Sequence, residues 1–120
     1  MFDVKVYDAG HDRQVESLSG GEKVIIGEAL GLAFAIFNAR KSKVKWETLW
    51  RDETAGALDQ RNAQAYVDML RRALAVGGFK QVIFVSHQPE VWERADARID
   101  VAGGAATVTN TQADYSWAAQ

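Results

Sequence analysis

The stretch Ser17-Leu18-Ser19-Gly20-Gly21-Glu22-Lys23 decides how the rest of the chain is read. Ser19 suits the N-cap of a helix, and Glu22 three residues on completes a capping box. Gly20 and Gly21 leave the first-turn N–H groups bare, so an anion such as phosphate can approach the backbone closely. The positive end of the helix dipole favours that anion. A Ser-x-x-Glu start also opens many helices that bind nothing. The weight therefore comes from the company this stretch keeps.

Working outward, 120 residues make one domain, or one lobe of a larger one. An apolar fraction of 48% is that of an ordinary globular protein with a modest core. The net charge of −2 gives no overall basic footprint for nucleic acid. The absence of cysteine rules out disulfides and thiolate metal sites, and fits a cytoplasmic protein. Phe2-Asp3-Val4-Lys5 is charged and alternating, unlike a signal peptide. Val24 to Ala39 is apolar but interrupted by Glu28, which suits a core helix better than a membrane span.

Phe2 to Asp8 alternates and predicts a half-buried strand, followed by a polar turn over Ala9 to Val15. From about Gly20 to about Asn38 the pattern is a helix apolar on nearly every side, hence buried on most faces. Gly27 and Gly31 share one face and permit another element to come close. Arg40-Lys41-Ser42-Lys43 reads as an exit loop whose cations suit the helix C-terminus rather than DNA. Glu47 to Asp52 predicts a strand, and Thr54 to Asp59 a loop. Gln60 to about Val76 predicts an amphipathic helix with Ala63, Tyr66, Val67, Leu70 and Leu74 inward. Asp59 suits its N-cap and Gly77-Gly78 its stop. Gln81 to Ser86 predicts a buried parallel strand, and Pro89 to Ala95 a short helix. Ala97 to Val101 and Ala105 to Thr109 form a hairpin across Gly103-Gly104, leaving 110–120 as a polar tail.

Strand–helix–strand alternation implies an α/β sheet, whose ligands sit at the carboxyl ends of the strands. Asp52-Glu53 and Ser86-His87 both fall at such ends. One carboxylate can hold Mg²⁺, mainly through waters, and the next can orient or deprotonate an attacking water. His87 can hydrogen-bond a terminal phosphate. Alone, paired acids at a strand end are commonly just solvated, and such a histidine is commonly just satisfied; the order of the four signals is what counts.

Leu18-Ser19-Gly20-Gly21-Glu22 resembles the signature motif of the ABC-type ATPases. Leu49-Trp50-Arg51-Asp52-Glu53 resembles their Walker B strand, Ala57-Leu58-Asp59 their D-loop and Val85-Ser86-His87 their H-loop. The resemblance covers about residues 2 to 109 and is strongest to SMC-like DNA-repair ATPases of the SbcC type. The strand before the signature, its Glu22-Lys23 ending and Glu47-Thr48-Leu49 carry that finer likeness. It implies a P-loop NTPase-like C-terminal lobe of an ATPase head over 1–109, with a mainly parallel sheet flanked by helices and a C-terminal β-hairpin.

The same resemblance implies ATP and Mg²⁺ as cofactors. Asp52 would sit near the metal, Glu53 would polarise the hydrolytic water, and His87 would sense the γ-phosphate. Ser19, Gly20 and Gly21 would bind the γ-phosphate of a nucleotide held by a second head, and Asp59 would cross that dimer interface. Implied partners are a Walker A-bearing N-terminal lobe, a second ATPase head, a nuclease partner protein and DNA through the full complex, with no membrane.

Three departures stand out. Arg51 replaces an apolar residue of the Walker B strand, and a buried arginine needs an anionic partner. Thr54 replaces the proline common after the catalytic acid. No Gly-x-x-x-x-Gly-Lys-Ser/Thr occurs, and no Q-loop or heptad-patterned segment precedes the signature. The chain thus reads as one lobe of a split head, inactive as an ATPase without the other. The rival readings are a non-catalytic interaction module, or a lobe of a chromosome SMC protein or a transporter ATPase.

Overall fold

The computed structural model describes residues 4–52 and 58–110. Chain order is β1 (Lys5–Asp8), β2 (His11–Gln14), a 3-10 turn (Val15–Ser17), α1 (Gly20–Lys41), β3 (Thr48–Asp52), α2 (Gln60–Gly77), β4 (Gln81–Val85), α3 (Pro89–Trp92), β5 (Ala97–Ala102) and β6 (Ala105–Asn110).

The core is built on α2. Ala63, Tyr66, Val67, Leu70 and Ala73 recur at helical spacing and are all buried. Leu32 of α1, Leu49 of β3, Leu58 and Val91 of α3 complete the cluster. The Tyr66 and Phe84 rings meet edge to face, 6.5 Å apart. Asp59 caps α2 by accepting from the Asn62 N–H at 2.8 Å. Gly78 stops it in the left-handed conformation, φ 70°. Leu74, expected inward, is only half-buried; Ala73 takes the last inward place.

Helix α1 runs in the same direction as α2. At one end Gly21 abuts Asn62, and at the other the Arg40 guanidinium donates to the Val76 carbonyl at 2.8 Å. The helix extends three residues beyond the expected Asn38, taking in Arg40 and Lys41. Burial is the larger correction. Only Glu28 and Leu32 are buried, while Phe34 and Phe37 are more than half exposed. Among the described residues α1 packs along one side only, so its other apolar faces meet solvent.

β3 and β4 pair in parallel, from Thr48 opposite Gln81 to Asp52 opposite Val85. Alternation along the strands places Leu49, Arg51, Val82 and Phe84 on one face, and Trp50, Asp52, Ile83 and Val85 on the other. Trp50 and Val85 are exposed, so β4 is not the fully buried strand expected. Among the described residues β3 and β4 are the one parallel pair, and β5 with β6 is the expected C-terminal hairpin. The described strands form three separate pairs, two of them antiparallel: β1 with β2 and β5 with β6. Parallel neighbours need a crossover, and only α2 supplies one here; the other strands close locally on tight turns.

The first of those turns opens the polar turn expected over Ala9 to Val15, but His11–Gln14 of that segment is strand β2. Ala9 and Gly10 both have positive φ (47° and 90°), the geometry of a two-residue hairpin turn. Gly103-Gly104 does the same between β5 and β6. The short helix after Pro89 ends at Trp92 rather than Ala95, because the following N–H groups bond back only in irregular turns. β6 reaches Asn110, one residue into the expected tail; 111–120 lie outside the described residues. No described helix is long and apolar enough to cross a membrane.

Candidate nucleotide-binding site

The capping box read from the sequence is formed. The Ser19 hydroxyl accepts from the Glu22 N–H at 3.2 Å, and the Glu22 carboxylate accepts from the Ser19 N–H at 2.8 Å. Those hydrogen bonds from Ser19 hold the Glu22 carboxyl below the usual glutamate range, with Arg13 and Arg61 adding smaller pulls. Arg13 stands 3.7 Å from Glu22 and 3.4 Å from Asp8, tying the β1–β2 hairpin to the helix start. Leu18 is buried beneath the turn, whereas Ser19 and Gly20 are exposed.

Gly21 is fixed by packing. A Cβ added there would collide with the side-chain amide nitrogen of Asn62. That amide in turn donates to the Asp59 carboxylate at 3.1 Å. The first turns of α1 and α2 therefore touch, and Ser19, Gly20, Gly21 and Asp59 share one end of the helix pair. Asn62 escaped the sequence reading; its only signal is its place three residues after the cap. Gly20 has open space around it, as an anion-facing glycine needs.

The second group of residues lies at the strand ends. Asp52 ends β3, is exposed, and has no cationic partner among the described residues. Its register partner Val85 leads directly into Ser86 and His87, so both loops leave the same end of the parallel pair. Gln88 joins this turn to the start of α2: its backbone N–H donates to the Ser86 hydroxyl at 3.1 Å, and its side-chain oxygen accepts from the Leu58 N–H at 2.8 Å. Glu53, the residue assigned to water activation, and Ala57 of the expected D-loop lie outside the described residues.

No group of three or more His, Cys, Asp or Glu gathers as a metal cage among the described residues. A single exposed carboxylate such as Asp52 fits Mg²⁺ held chiefly by phosphate oxygens and water. It does not suit a metal bound by protein ligands alone.

Arg51 has found its anion. Its Nη2 lies 2.5 Å and its Nε 3.2 Å from the same Glu28 oxygen. The pair is largely buried, with side-chain exposures of 17% and 9%. Gly31, three residues on from Glu28, lies beside the Arg51 guanidinium, where a Cβ would still stand at ordinary contact, 3.5 Å from Nη2, while Gly27 faces open space. Of the expected close-approach pair, only Gly31 has a neighbouring element beside it among the described residues, and neither position is packed tightly enough there to require glycine. Glu28 thus links α1 to the residue directly before Asp52.

No protein-family model matches the chain. It is 38% identical over 89 residues to the SbcC component of the SbcCD nuclease of Pseudomonas aeruginosa, covering 74% of this chain and 7% of that protein. It is 34% identical over 113 residues to a DNA double-strand break repair Rad50 ATPase of Thermoplasma acidophilum, covering 91% of this chain and 12% of that one. The inner membrane ABC transporter ATP-binding protein YddA of Escherichia coli is 35% identical over 91 residues, 76% of this chain and 14% of its own.

Among solved structures, a chain from work on ATP-driven dimerization and DNA-stimulated activation of SMC ATPases shares the fold, with a TM-score of 0.54. That match has 22% identity and covers 85% of this chain and 59% of the other. The chain spans a small fraction of its curated relatives. Over most of its own length, it is a homologue of a segment of the SbcC and Rad50 ATPases.

Proposed function

We propose that residues 1–109 form the C-terminal lobe of an SbcC-like ATPase head, with 110–120 as an appended tail. The observation that carries this reading is the contact of Gly21 with Asn62, which brings the signature glycines and the D-loop Asp59 to one end of two parallel helices. The curated relatives named SbcC and Rad50 support it.

In this reading Ser19, Gly20 and Gly21 offer the first-turn N–H groups of α1 to the γ-phosphate of a nucleotide held by a second head. Asp59 reaches across the interface between the heads. Asp52 holds Mg²⁺ through waters, and the ion when bound neutralises charge on the phosphate oxygens. Glu53 orients or deprotonates water, and His87 donates a hydrogen bond to the terminal phosphate. The cradle for the remaining phosphates comes from a Walker A-bearing lobe. A nuclease and DNA, as the relatives' names suggest, are partners of the assembled complex.

A Mg-ATP titration followed by tryptophan fluorescence tests the assignment, with and without a Walker A lobe from a related protein. Trp50, exposed and two residues before Asp52, is the reporter. Binding and turnover are expected only with the added lobe, and Glu53→Gln should keep binding while stopping turnover. Turnover by this chain alone, lost in Glu53→Gln, would refute the split-head reading.

The YddA match favours one alternative, a lobe of another ABC-type ATPase. Stimulation of the reconstituted activity by DNA separates the two: the SbcC-like reading expects it, and a transporter lobe does not.

A further inference from the structure

Helix α1 carries a second face that the core does not use. Leu32 belongs to the core cluster, and Leu30 and Phe34 stand two residues either side of it, hence across the helix from the packed side. Lys23, Gly27, Leu30, Phe34, Phe37 and Lys41 follow one another in alternating steps of four and three, which sets them in one stripe along a helix. All six are exposed, Leu30 by 36%, Phe37 by 53% and Phe34 by 59%.

The stripe is apolar in the middle and cationic at both ends. Lys41 lies over the Phe37 ring, 4.4 Å from its centre, which puts its charge on the stripe itself. Lys23 falls one turn before Gly27 at the other end. Neither lysine forms an ion pair with a described residue. The two acids of α1 are engaged elsewhere, Glu22 in the capping box and Glu28 with Arg51. A Cβ added at Gly27 would meet nothing within 4 Å, so a notch is left between Lys23 and Leu30.

We propose that this stripe docks an amphipathic helix of a partner protein, apolar at the same spacing and carrying a carboxylate at each end to meet Lys23 and Lys41, about 27 Å apart along α1. The spacing is that of a helix-on-helix seam, and the end charges select an acidic occupant. One of its apolar side chains enters the notch at Gly27. A second copy of this chain fits poorly. Antiparallel pairing sets Lys23 against Lys41 at both ends, and parallel pairing sets each lysine against its own counterpart. A lipid surface also fits poorly: a bilayer fills no notch, and two lysines attract anionic lipid only weakly. The proposal does not rest on the ATPase reading, because the stripe faces away from β3, which α1 meets on its other side through Glu28.

Selection of a display library on the intact chain tests it, using helix-patterned peptides about three heptads long with the apolar and terminal positions randomised. The expected winners carry Leu, Ile, Met or Phe at the seam and Asp or Glu at both ends. Their affinity should fall about tenfold or more in Phe34→Ala, as for a central aromatic anchor. Gly27→Leu fills the notch and adds helix propensity, so affinity should fall while the melting temperature holds or rises. Selection repeated on the double variant Lys23→Glu, Lys41→Glu should return peptides ending in Lys or Arg, whereas Lys23→Arg, Lys41→Arg should keep the parent's winners. Circular dichroism matched to the parent qualifies each variant.

No enrichment, winners without acidic ends, or affinities unchanged in Phe34→Ala and Gly27→Leu would overturn the proposal. So would a dimer of the parent in sedimentation that Phe34→Ala dissolves, which would make the stripe a contact between copies. Binding of the parent, but not of Phe34→Ala, to vesicles of phosphatidylserine and phosphatidylcholine would make it a lipid surface instead.

Discussion

Helices α1 and α2 lie side by side in the same direction, yet they relate to the core in opposite ways. α2 carries charge on one side and hides five residues on the other, Ala63 to Ala73. α1 is the more apolar of the two and buries only Leu32 and Glu28, one of them charged. Apolar composition measures how much a helix could bury, whereas periodicity reports how much its own chain covers. α2 is packed into the core of this chain along its apolar face. α1 is packed along one side, and among the described residues nothing covers Leu30, Phe34 and Phe37.

The comparison is sharpest at single core positions. Leu70 is 1% exposed, and Leu70→Ala should cost about 3–5 kcal/mol in urea denaturation. Phe34 is 59% exposed, and Phe34→Ala should stay within about 0.5 kcal/mol in the same assay. Comparable losses at the two sites would break the contrast.

Next in size is the Glu28–Arg51 pair. Glu28→Leu leaves Arg51 without its anion and should cost about 2–3 kcal/mol, less than a fully buried pair because Arg51 keeps some exposure. The double change Glu28→Leu, Arg51→Leu should recover most of that loss. A double variant no better than the single would mean that the charges do more than satisfy each other.

A smaller effect is expected where the helices touch. Gly21→Ala gains helix propensity but meets Asn62, for a net loss of about 1 kcal/mol. In an Asn62→Ala background the same change should become neutral or stabilising. If it stays unfavourable there, the glycine is required for something other than clearance.

The smallest effect is in pH. Glu22 has its carboxyl lowered by the Ser19 hydrogen bonds, so its contribution is complete above the unfolded glutamate value and is lost as pH falls through the lower folded one. Thermal melts of the parent and Ser19→Ala should therefore converge on acidification below the ordinary glutamate range. Parallel curves across that range would show that the cap does not discriminate the ionised form.

What could be read in advance follows the range of the forces involved. The caps at Ser19 and Asp59, the stop at Gly78 and the parallel pairing of β3 with β4 depend on neighbours in sequence or on simple alternation, and all were legible. β2 was not, because His11-Asp12-Arg13-Gln14 has no apolar alternation and the turn places Ala9 at positive φ. The partner of Arg51 lies 23 residues away on another element, and no local pattern points to it. Of the site, Ser19, Gly20, Gly21 and Asp59 come together at one end of the helix pair, and Asp52 and His87 follow one end of the strand pair. Asn62 and Gln88, which tie these turns to their neighbours, were invisible because their contacts are made only after the helices dock.

The fastening of α1 has a mechanical consequence. The helix is about 33 Å long and is held at Gly21 by Asn62, midway at Glu28 by Arg51, and near its end by Arg40 on Val76. A rod secured at three points has no free pivot. A load applied at its first turn is shared between α2, at Asn62 and Val76, and β3, at the residue adjoining Asp52.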